Sequence, residues 1–481
     1  MLKEQQRQDA RSATDEVPLV VDLDGTLIHS DLLWETLVQF LRRHFLRAWL
    51  LPLWLFKGKA GFKNQLAREV DLDVVHLPYD KALLALVKAE REDGRTTVLA
   101  TGAQRHLADK VAAHTGLFDL VLATENVNLT SHNKAARLAA LYGAKGYDYI
   151  GNSRADLPVW LASRTALCVA GKHYKLADGR GTTQVGSKRG GVARALFKAL
   201  RPRQWLKNLL VFVPMLAGHA LDIDALLASL LAFAAFSACA SSAYLLNDAL
   251  DAQDDRAHPT KHKRPIAAGT LPLPLALIAS PLLAVAALAV CGVLKPILLL
   301  PLGAYFAATL AYSIYLKRLL MVDIVTLAIL YSLRMLGGSA ATGIEPSFWL
   351  LAFSFFIFLS LALLKRHSEL FNLHREGKEK TRGRGYTTAD KTPIGIMGIN
   401  AAFVSVLVFM LYFNSQNVLQ LYRHPAYLLG ILPLLVFWLG RLWTLSFRGQ
   451  VNEDPVLYVS RDKVSLAVMA LCGLLAAAAA H

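Results

Sequence analysis

From about residue 205 to the C-terminus the chain is a succession of apolar runs, each near the twenty residues a helix needs to cross a bilayer, divided by polar loops. In lipid a run of this kind has to close its own backbone hydrogen bonds, which leaves helices as the available fold. Nine segments fit, at roughly 207–221, 225–247, 273–294, 296–315, 320–342, 346–364, 394–413, 425–444 and 462–480. Residues 1–200 contain no run of that length and read as a soluble domain. Hydrophobic residues make up 54% of the 481, and the excess lies in the second part.

The loop charges set a direction. With the N-terminus inside, one set of loops holds Arg256, Lys261, Lys263 and Arg264, then Lys317 and Arg318. The same side takes Lys365, Arg366, Arg375, Lys378, Lys380, Arg382, Arg384 and Lys391, then Arg448, Arg461 and Lys463. The opposite loops hold only Lys295 and Arg423. This asymmetry predicts nine spans of an inner (plasma) membrane, with the N-terminal domain cytoplasmic and the C-terminus outside. The N-terminus, MLKEQQRQDARSATDE, lacks the apolar core of a signal peptide, which agrees. The net charge of +16 fits loops that face anionic lipid or phosphorylated ligands. No basic stripe with interleaved aromatics argues for nucleic acid. Cys168, Cys239, Cys291 and Cys472 form no CxxC pair and read as buried free thiols.

The polar loops carry the chemistry. Residues 247–269, NDALDAQDDRAHPTKHKRPIAAG, lie between two apolar runs. Asn247, Asp251 and Asp255 recur every four residues and would share one helix face, with Asp248 beside them. Lys261 and Arg264 follow. Acids at a membrane edge are costly and usually functional. An acid stripe followed by bases suits a Mg²⁺–diphosphate, the acids holding the metal and the bases the phosphates. A second region, around Tyr312, Lys317, Arg318 and Asp323, is explained as well by membrane anchoring as by ligand binding. A third begins with Lys365, Arg366 and Glu369 at a helix end. Arg334 lies inside an apolar run and calls for an anion or carboxylate partner. RPRQWLKN (201–208) sets Arg201, Arg203 and Lys207 around Trp205, either as an interface anchor or as a clamp for a lipid phosphate.

NDxxDxxxD resembles the first motif of the UbiA-type prenyltransferase superfamily. The longer NDxxDxxxDxxHPTKxxRPIAAG, with RPRQWLKN and LRMLGGSAATG (333–343), resembles the branch that transfers 5-phosphoribose from 5-phosphoribosyl 1-diphosphate to decaprenyl phosphate, over about residues 198–481. The resemblance implies that Asn247, Asp248, Asp251 and Asp255 hold Mg²⁺–diphosphate, with Asp251 central to catalysis. Lys261, Arg264, Lys365 and Arg366 would bind donor phosphates, and Lys207 the lipid phosphate; Lys317 and Arg334 are further candidates. The chain departs from ordinary prenyltransferases at the second aspartate-rich motif, where it has KRHSEL, with Glu369 the one acid in that turn. That fits a donor with an extra phosphate. A lipid phosphate is already an anionic nucleophile, so no strong general base is needed.

In the soluble part, Val17–Val21 runs into Asp22-Leu23-Asp24-Gly25-Thr26. Downstream come TTVLATGA (96–103), HNKAARL with Lys134, and YDYIGNSRADLP (147–158). Four motifs in this order resemble the haloacid dehalogenase superfamily. The resemblance implies that Asp22 attacks phosphorus, that Asp24 serves as acid and base, and that Thr101 and Lys134 bind the phosphoryl oxygens. Asp22, Asp24 through its carbonyl, and Asp156 would hold Mg²⁺, with Asn152 beside them where many members have aspartate. The expected fold is an N-terminal α/β Rossmann-like haloacid dehalogenase domain over 1–171, with a helical cap at about 31–95. A Gly- and Lys-rich linker (172–200) and an all-α membrane domain of about nine transmembrane helices (201–481) would follow. The apolar stretch Leu37–Phe56, dotted with Arg42, Arg43 and Arg47, reads either as a buried cap helix or as a cap that dips into the membrane interface.

The expected function is therefore bifunctional: phosphoribose transfer to a polyprenyl phosphate in the bilayer, then removal of the 5-phosphate by the soluble domain. An aromatic-acid prenyltransferase of quinone biosynthesis, and a membrane transporter or scaffold with a vestigial phosphatase domain, are the alternatives.

Overall fold

The computed structural model describes residues 17–480, apart from 57, 126, 170, 172, 188–189, 380–383, 414, 416–417, 419–420 and 452–453. The N-terminal sixteen residues, Lys380 and Arg382, which entered the charge reading above, lie outside the described residues. The chain forms two compact units. One comprises residues 1–200 with 245–279, the other residues 201–244 with 280–481.

The first unit is built on a parallel sheet in the order β3-β2-β1-β4-β5-β6. Its strands are Leu19–Val21 (β1), Thr97–Gln104 (β2), Leu120–Thr124 (β3), Asp148–Gly151 (β4), Ala166–Cys168 (β5) and Thr183–Gln184 (β6). β1, β2 and β4 are buried on both faces, as strands of a helix-covered parallel sheet must be. β1 pairs with β2 on one side (Val20 opposite Val98) and with β4 on the other (Val20 opposite Tyr149). The strand order reverses at β1, which opens a crevice at the carboxyl ends of β1, β2 and β4. β6 corrects the expectation of a linker over 172–200. Thr183 and Gln184 pair with Leu167 and Cys168, and Ser187 donates to Asp80, the cap of the helix Lys81–Glu92. Gly-rich composition does not stop a short edge strand from pairing.

The insert after β1 is helical: Leu32–Arg43, a 3-10 turn at Phe45–Arg47, Leu50–Leu55 and Gly58–Glu69. Phe40, Trp54, Phe62, Leu66 and Val70 form its small core. The apolar stretch Leu37–Phe56 is thus not one helix, because the chain breaks at His44.

The loop 251–272 belongs to this same unit. Arg256 lies against Glu35 of the helix Leu32–Arg43, with Nη1–Oε2 at 3.0 Å and Nη2–Oε1 at 2.6 Å, and its Nε donates to Ala267 O. Both side chains are almost fully buried. Gly269 closes the contact. Its φ is +70°, and a Cβ there would stand 2.4 Å from that of His29, so only glycine lets the loop approach.

Among the described residues, eight helices are long and apolar enough to cross a membrane: Ile223–Leu250, Leu273–Leu294, Pro296–Ile314, Val322–Thr342, Phe348–Arg375, Thr388–Phe413, Pro425–Phe447 and Lys463–Ala480. Nine were expected. Residues 207–221 do not form a regular span; the chain there is a 3-10 helix, Pro202–Phe212, followed by a short α-helix, Val213–Ala217. At ~2.0 Å per residue for the first part and ~1.5 Å for the second, the two reach about 30 Å. Lys207, Asn208 and Val211 of this segment are buried in protein, the condition under which irregular backbone is tolerated at membrane depth. Polar side chains tie helices together elsewhere in the unit: Trp443 Nε1 donates to Ser360 Oγ at 3.0 Å, which donates to Gly398 O at 2.8 Å.

Breaking one partner of the Glu35–Arg256 pair strands a buried charge, which costs about 3–5 kcal/mol. Glu35→Ala is therefore expected to destabilise the first unit by that order. Pulse proteolysis of the full chain in detergent will read this as earlier cleavage within residues 17–56.

Candidate functional site

The crevice at the sheet switch point collects the residues expected there. Asp22 follows β1, Thr101 lies within β2, and Asn152 and Asp156 follow β4. Lys134 comes from the helix Ser131–Tyr142, and its Nζ stands 2.6 Å from Asp22 Oδ1 and 3.0 Å from Tyr149 Oη. Tyr149 Oη donates to Asp156 Oδ1 at 2.8 Å. The other oxygen, Asp156 Oδ2, accepts from the backbone N–H groups of Asn152 and Ser153. Thr26 Oγ1 donates to Asp22 Oδ2. Asp24 Oδ1 accepts from Leu32 N at 2.8 Å, which ties the second aspartate to the first turn of the cap. Gly25, at φ +69°, passes so close to Asn152 that a Cβ would stand 2.1 Å from its Nδ2.

Two residues here were not singled out in the sequence. Tyr149 sits in the strand motif YDYIGN and reads there as a core aromatic, yet its hydroxyl bridges Lys134 and Asp156. Lys63, from the cap helix Gly58–Glu69, reaches the carbonyl of Gly102 at 2.7 Å and Asn128 Oδ1 at 3.2 Å, beside Thr101. No local motif marks it; only the fold of the insert brings it to the strand end.

The electrostatics suit phosphoryl chemistry. Burial pushes the Asp22 carboxyl up, Lys134 pulls it back and Asp156 pushes it up again, leaving it at about 6. Burial, reinforced by Asp31, holds Asp24 well above the ordinary carboxylate range. The mutual push of Asp22 and Asp156 marks a place where a cation would relieve repulsion. Among the described residues no three His, Cys, Asp or Glu side chains form a closed metal cluster. Mg²⁺ does not need one, since it commonly takes one or two carboxylates plus water and substrate phosphate. Asp22 and Asp156 fit that pattern.

In the loop 251–272, helical hydrogen bonds run from Asp251 N to Asn247 O and from Asp255 N to Asp251 O, both 2.9 Å. The acids thus follow the expected helical stack, with a kink at Asp251 where Ile223–Leu250 gives way to Ala252–Ala257. Asp248 and Asp255 are buried and share one guanidinium: Arg264 Nη1 is 3.0 Å from Asp248 Oδ1 and 2.6 Å from Asp255 Oδ2. Burial raises the Asp255 carboxyl, against the pull of Arg264. Arg264, expected to hold donor phosphate, is here the counter-ion of the acids. Lys261 is exposed in the turn Lys261–Lys263. Arg42 of the cap stands 2.5 Å from Asp254 Oδ2 and 3.8 Å from Asp251 Oδ1. Nothing in the acid motif announces this arginine.

The second unit carries two charged clusters. In one, Asp454 Oδ2 lies 2.7 Å from Lys207 Nζ and 3.1 Å from Lys365 Nζ. Burial would raise the Asp454 carboxyl, but Lys365 and Lys207 outweigh it and hold it below the usual range. Asp454 was missed in the sequence, where NEDP reads as a helix start; it is indeed the N-cap of Pro455–Val459. Tyr331 joins this cluster to Arg334, with Lys207 5.9 Å and Arg334 5.2 Å from its ring centre. Arg334 was expected to meet an anion or carboxylate. Its hydrogen bonds go instead to Asn208 Oδ1 at 2.7 Å, Tyr305 Oη at 2.9 Å and Leu330 O at 2.5 Å, all neutral groups. Buried amides and aromatic faces solvate the charge without cancelling it.

In the other cluster Arg366 is fully buried and bonds both Asp323 and Glu369. Arg384 reaches Glu369 at 2.5 Å, and Tyr386 donates to Asp323. The expected phosphate ligand Arg366 thus has both terminal nitrogens on carboxylates, while its buried Nε has no partner among the described residues. Lys317 is half-buried in the turn Leu316–Arg318.

A parallel α/β domain with this strand-end constellation is a haloacid dehalogenase-like fold, and the helical part is that of a multi-pass membrane protein. A haloacid dehalogenase-like hydrolase model matches residues 19–160, and the UbiA prenyltransferase family model matches residues 209–461, which is 253 of 481. The chain belongs to the UbiA prenyltransferase family. The uncharacterized protein y4nM of Sinorhizobium fredii is 34% identical over 488 residues, covering 98% of this chain and 94% of that one, so it shares both domains. The decaprenyl-phosphate phosphoribosyltransferase of Mycobacterium tuberculosis is 41% identical over 289 residues, 59% of this chain and 93% of that one. A solved UbiA homolog from Archaeoglobus fulgidus bound to GPP and Mg²⁺ aligns at 16% identity with a TM-score of 0.46, over 59% of this chain and 97% of that one.

Because the Asp22 carboxyl sits at about 6, protons compete with a cation there. Mg²⁺ affinity at this site is expected to fall by about tenfold between pH 7 and pH 5. Calorimetric titration in an Asp251→Ala background, which weakens the acid loop, will read it. Asp22→Asn in the same background should flatten the pH dependence.

Proposed function

We propose that the membrane domain transfers 5-phosphoribose from 5-phosphoribosyl 1-diphosphate to a polyprenyl phosphate, and that the soluble domain then hydrolyses the 5-phosphate. The observation that carries the reading is the balance of charge around Asp454. Lys207 and Lys365 share the single carboxylate of Asp454, and Arg334, on the other side of the Tyr331 ring contact, bonds neutral groups among the described residues. A buried cluster with that excess of cations is stabilised by an anion, and a lipid phosphate is the anion a membrane enzyme meets. The state of Asp323 and Glu369 adds support. Arg366 and Arg384 neutralise them, so these two acids are not free to hold a second metal-bound diphosphate.

Asn247, Asp248, Asp251 and Asp255 would hold Mg²⁺, which when bound supplies charge neutralisation for a departing diphosphate. Arg264 then moves from carboxylate to phosphate partner, and Lys261 and Lys365 bind the remaining phosphates. The lipid phosphate, oriented by Lys207, attacks ribose C1 as the diphosphate leaves. In the soluble domain Asp22 and Asp156 would hold the metal. Asp22 attacks the 5-phosphate, and Lys134 and Thr101 position its oxygens. Asp24, whose carboxyl burial raises toward the protonated form, gives its proton to the leaving alkoxide and takes one back from the water that hydrolyses the aspartyl-phosphate.

Topology supports one working face. The sheet domain and the loop 251–272 lie in one unit, joined through Glu35 and Arg256, so they share a side of the membrane. Ile223–Leu250 crosses once between them. A further crossing has to precede it, and the segment Pro202–Ala217 has the reach. We infer nine crossings of the plasma membrane, with the N-terminal domain and the acid loop cytoplasmic and the C-terminus outside. The inner loops are also where the bases concentrate.

The test is to incubate the purified chain with labelled 5-phosphoribosyl 1-diphosphate, decaprenyl phosphate and Mg²⁺. A labelled lipid is expected, and its absence overturns the transferase reading. Asp251→Ala should lower transfer by about 10²-fold or more, the scale of losing transition-state charge stabilisation. Asp22→Asn should leave transfer intact and stop phosphate release from the lipid product. Unchanged phosphate release in that variant would sink the second step.

A further inference from the structure

The cap carries an apolar surface that its own core leaves uncovered. Within Phe45–Phe56 six large apolar side chains are exposed, led by Leu46 at 89%, Phe56 at 88% and Trp49 at 66%, with Phe45, Leu53 and Leu55 each more than half exposed. Trp54 alone of this stretch is buried, against Phe40, and it anchors the segment to the cap. Elsewhere in residues 58–199 the exposed large apolar side chains are scattered singly. A patch this dense in a short stretch marks an interaction surface.

Its position identifies the occupant. Arg42, one turn before Phe45, is bonded to Asp254, just past Leu250, the end of a helix long enough to cross the membrane. Arg256 holds the same cap helix through Glu35. The loop carrying both contacts joins two such helices, Ile223–Leu250 and Leu273–Leu294. The patch therefore begins where the chain leaves the bilayer. Its charge agrees: Phe45–Phe56 contains no acid, and Arg43, just before it, is exposed, while Arg47 is bonded to Glu69 and Arg42 to Asp254.

We propose that Phe45–Phe56 is a membrane-interface docking surface, in which the apolar side chains enter the headgroup and upper acyl region of an anionic phospholipid bilayer while the exposed Arg43 beside them meets lipid phosphates. The next cap helix, Gly58–Glu69, delivers Lys63 to Gly102 at the phosphatase crevice. Docking thus holds that crevice at headgroup level, where a lipid-borne phosphomonoester would present itself. This consequence rests on the phosphatase reading above; the docking does not.

The experiment keeps the two apart. In the full chain with Cys472→Ser, the other cysteines being buried, Leu46→Cys and Phe56→Cys are labelled with an environment-sensitive fluorophore. Lys88→Cys, on the helix Lys81–Glu92, is the control. The protein is placed in nanodiscs of phosphatidylglycerol and phosphatidylcholine carrying nitroxide lipids labelled near the headgroup. Quenching at 46 and 56 is expected to exceed that at 88 by at least several-fold, with a blue-shifted emission. Equal quenching at all three positions overturns the proposal. So does a shielded, unquenched probe that cross-links between copies, which would make the occupant a second copy of the chain. Neither readout depends on catalysis. As a functional arm, Leu46→Glu with Phe56→Glu should lower hydrolysis of the lipid-borne phosphate several-fold and leave a soluble aryl phosphate unaffected; an equal loss on both substrates counts against docking.

Discussion

The bidentate pair between Glu35 and Arg256 is the contact on which the arrangement of the first unit depends. A buried guanidinium facing a buried carboxylate is held by geometry more than by net energy, because each ion would be expensive alone. The pair therefore permits one register of cap against loop. It fixes the helix Leu32–Arg43 to a loop that joins two helices long and apolar enough to cross a membrane, and the same helix donates its Leu32 N–H to the Asp24 carboxylate of the loop after β1.

A second theme is how cations are kept where lipid or protein excludes water. Arg366 takes two carboxylates and becomes part of the scaffold. Lys207 and Lys365 share a single carboxylate, and Arg334 relies on an amide, a hydroxyl and a carbonyl. The three solutions differ in how much positive charge remains. Only the last two leave a surplus, and a surplus of buried positive charge is what an anionic substrate satisfies. Arg264 behaves differently again, since it bridges Asp248 and Asp255 from just after the turn Lys261–Lys263.

Much of this was legible in the chain. The order of DLDGT, TTVLATGA, Lys134 and YDYIGN predicts a strand-end site, and the sheet delivers it, because parallel strands with helical crossovers leave little freedom in where their carboxyl ends lie. The spacing of Asn247, Asp251 and Asp255 predicts a helical stack, and the backbone hydrogen bonds supply it. Lys63, Arg42, Tyr149 and Asp454 were not legible. Each acts across a long separation in sequence, and none carries a local pattern distinct from that of an ordinary surface or core residue. At 207–221 the apolar character was legible and the backbone form was not: hydropathy reports that a segment is apolar, not that its backbone will tighten into a 3-10 helix between prolines at 202 and 214.

What the sequence determined by itself is local: the apolar lengths that commit the second part to membrane helices, the alternation of strands and helices in the first, and the motif acids placed at element ends. Periodicity and short-range chemistry are enough for these. What only the tertiary structure decided is which charges meet. Arg264 was destined for phosphate by its motif, yet it rests on two acids; Arg334 called for an anion or carboxylate, and among the described residues it bonds neutral groups; Asp454 emerged as the centre of a cluster no motif predicted. Pairing of buried charges is settled by long-range packing, since the cost of desolvation makes each ion take whatever partner the fold brings within reach.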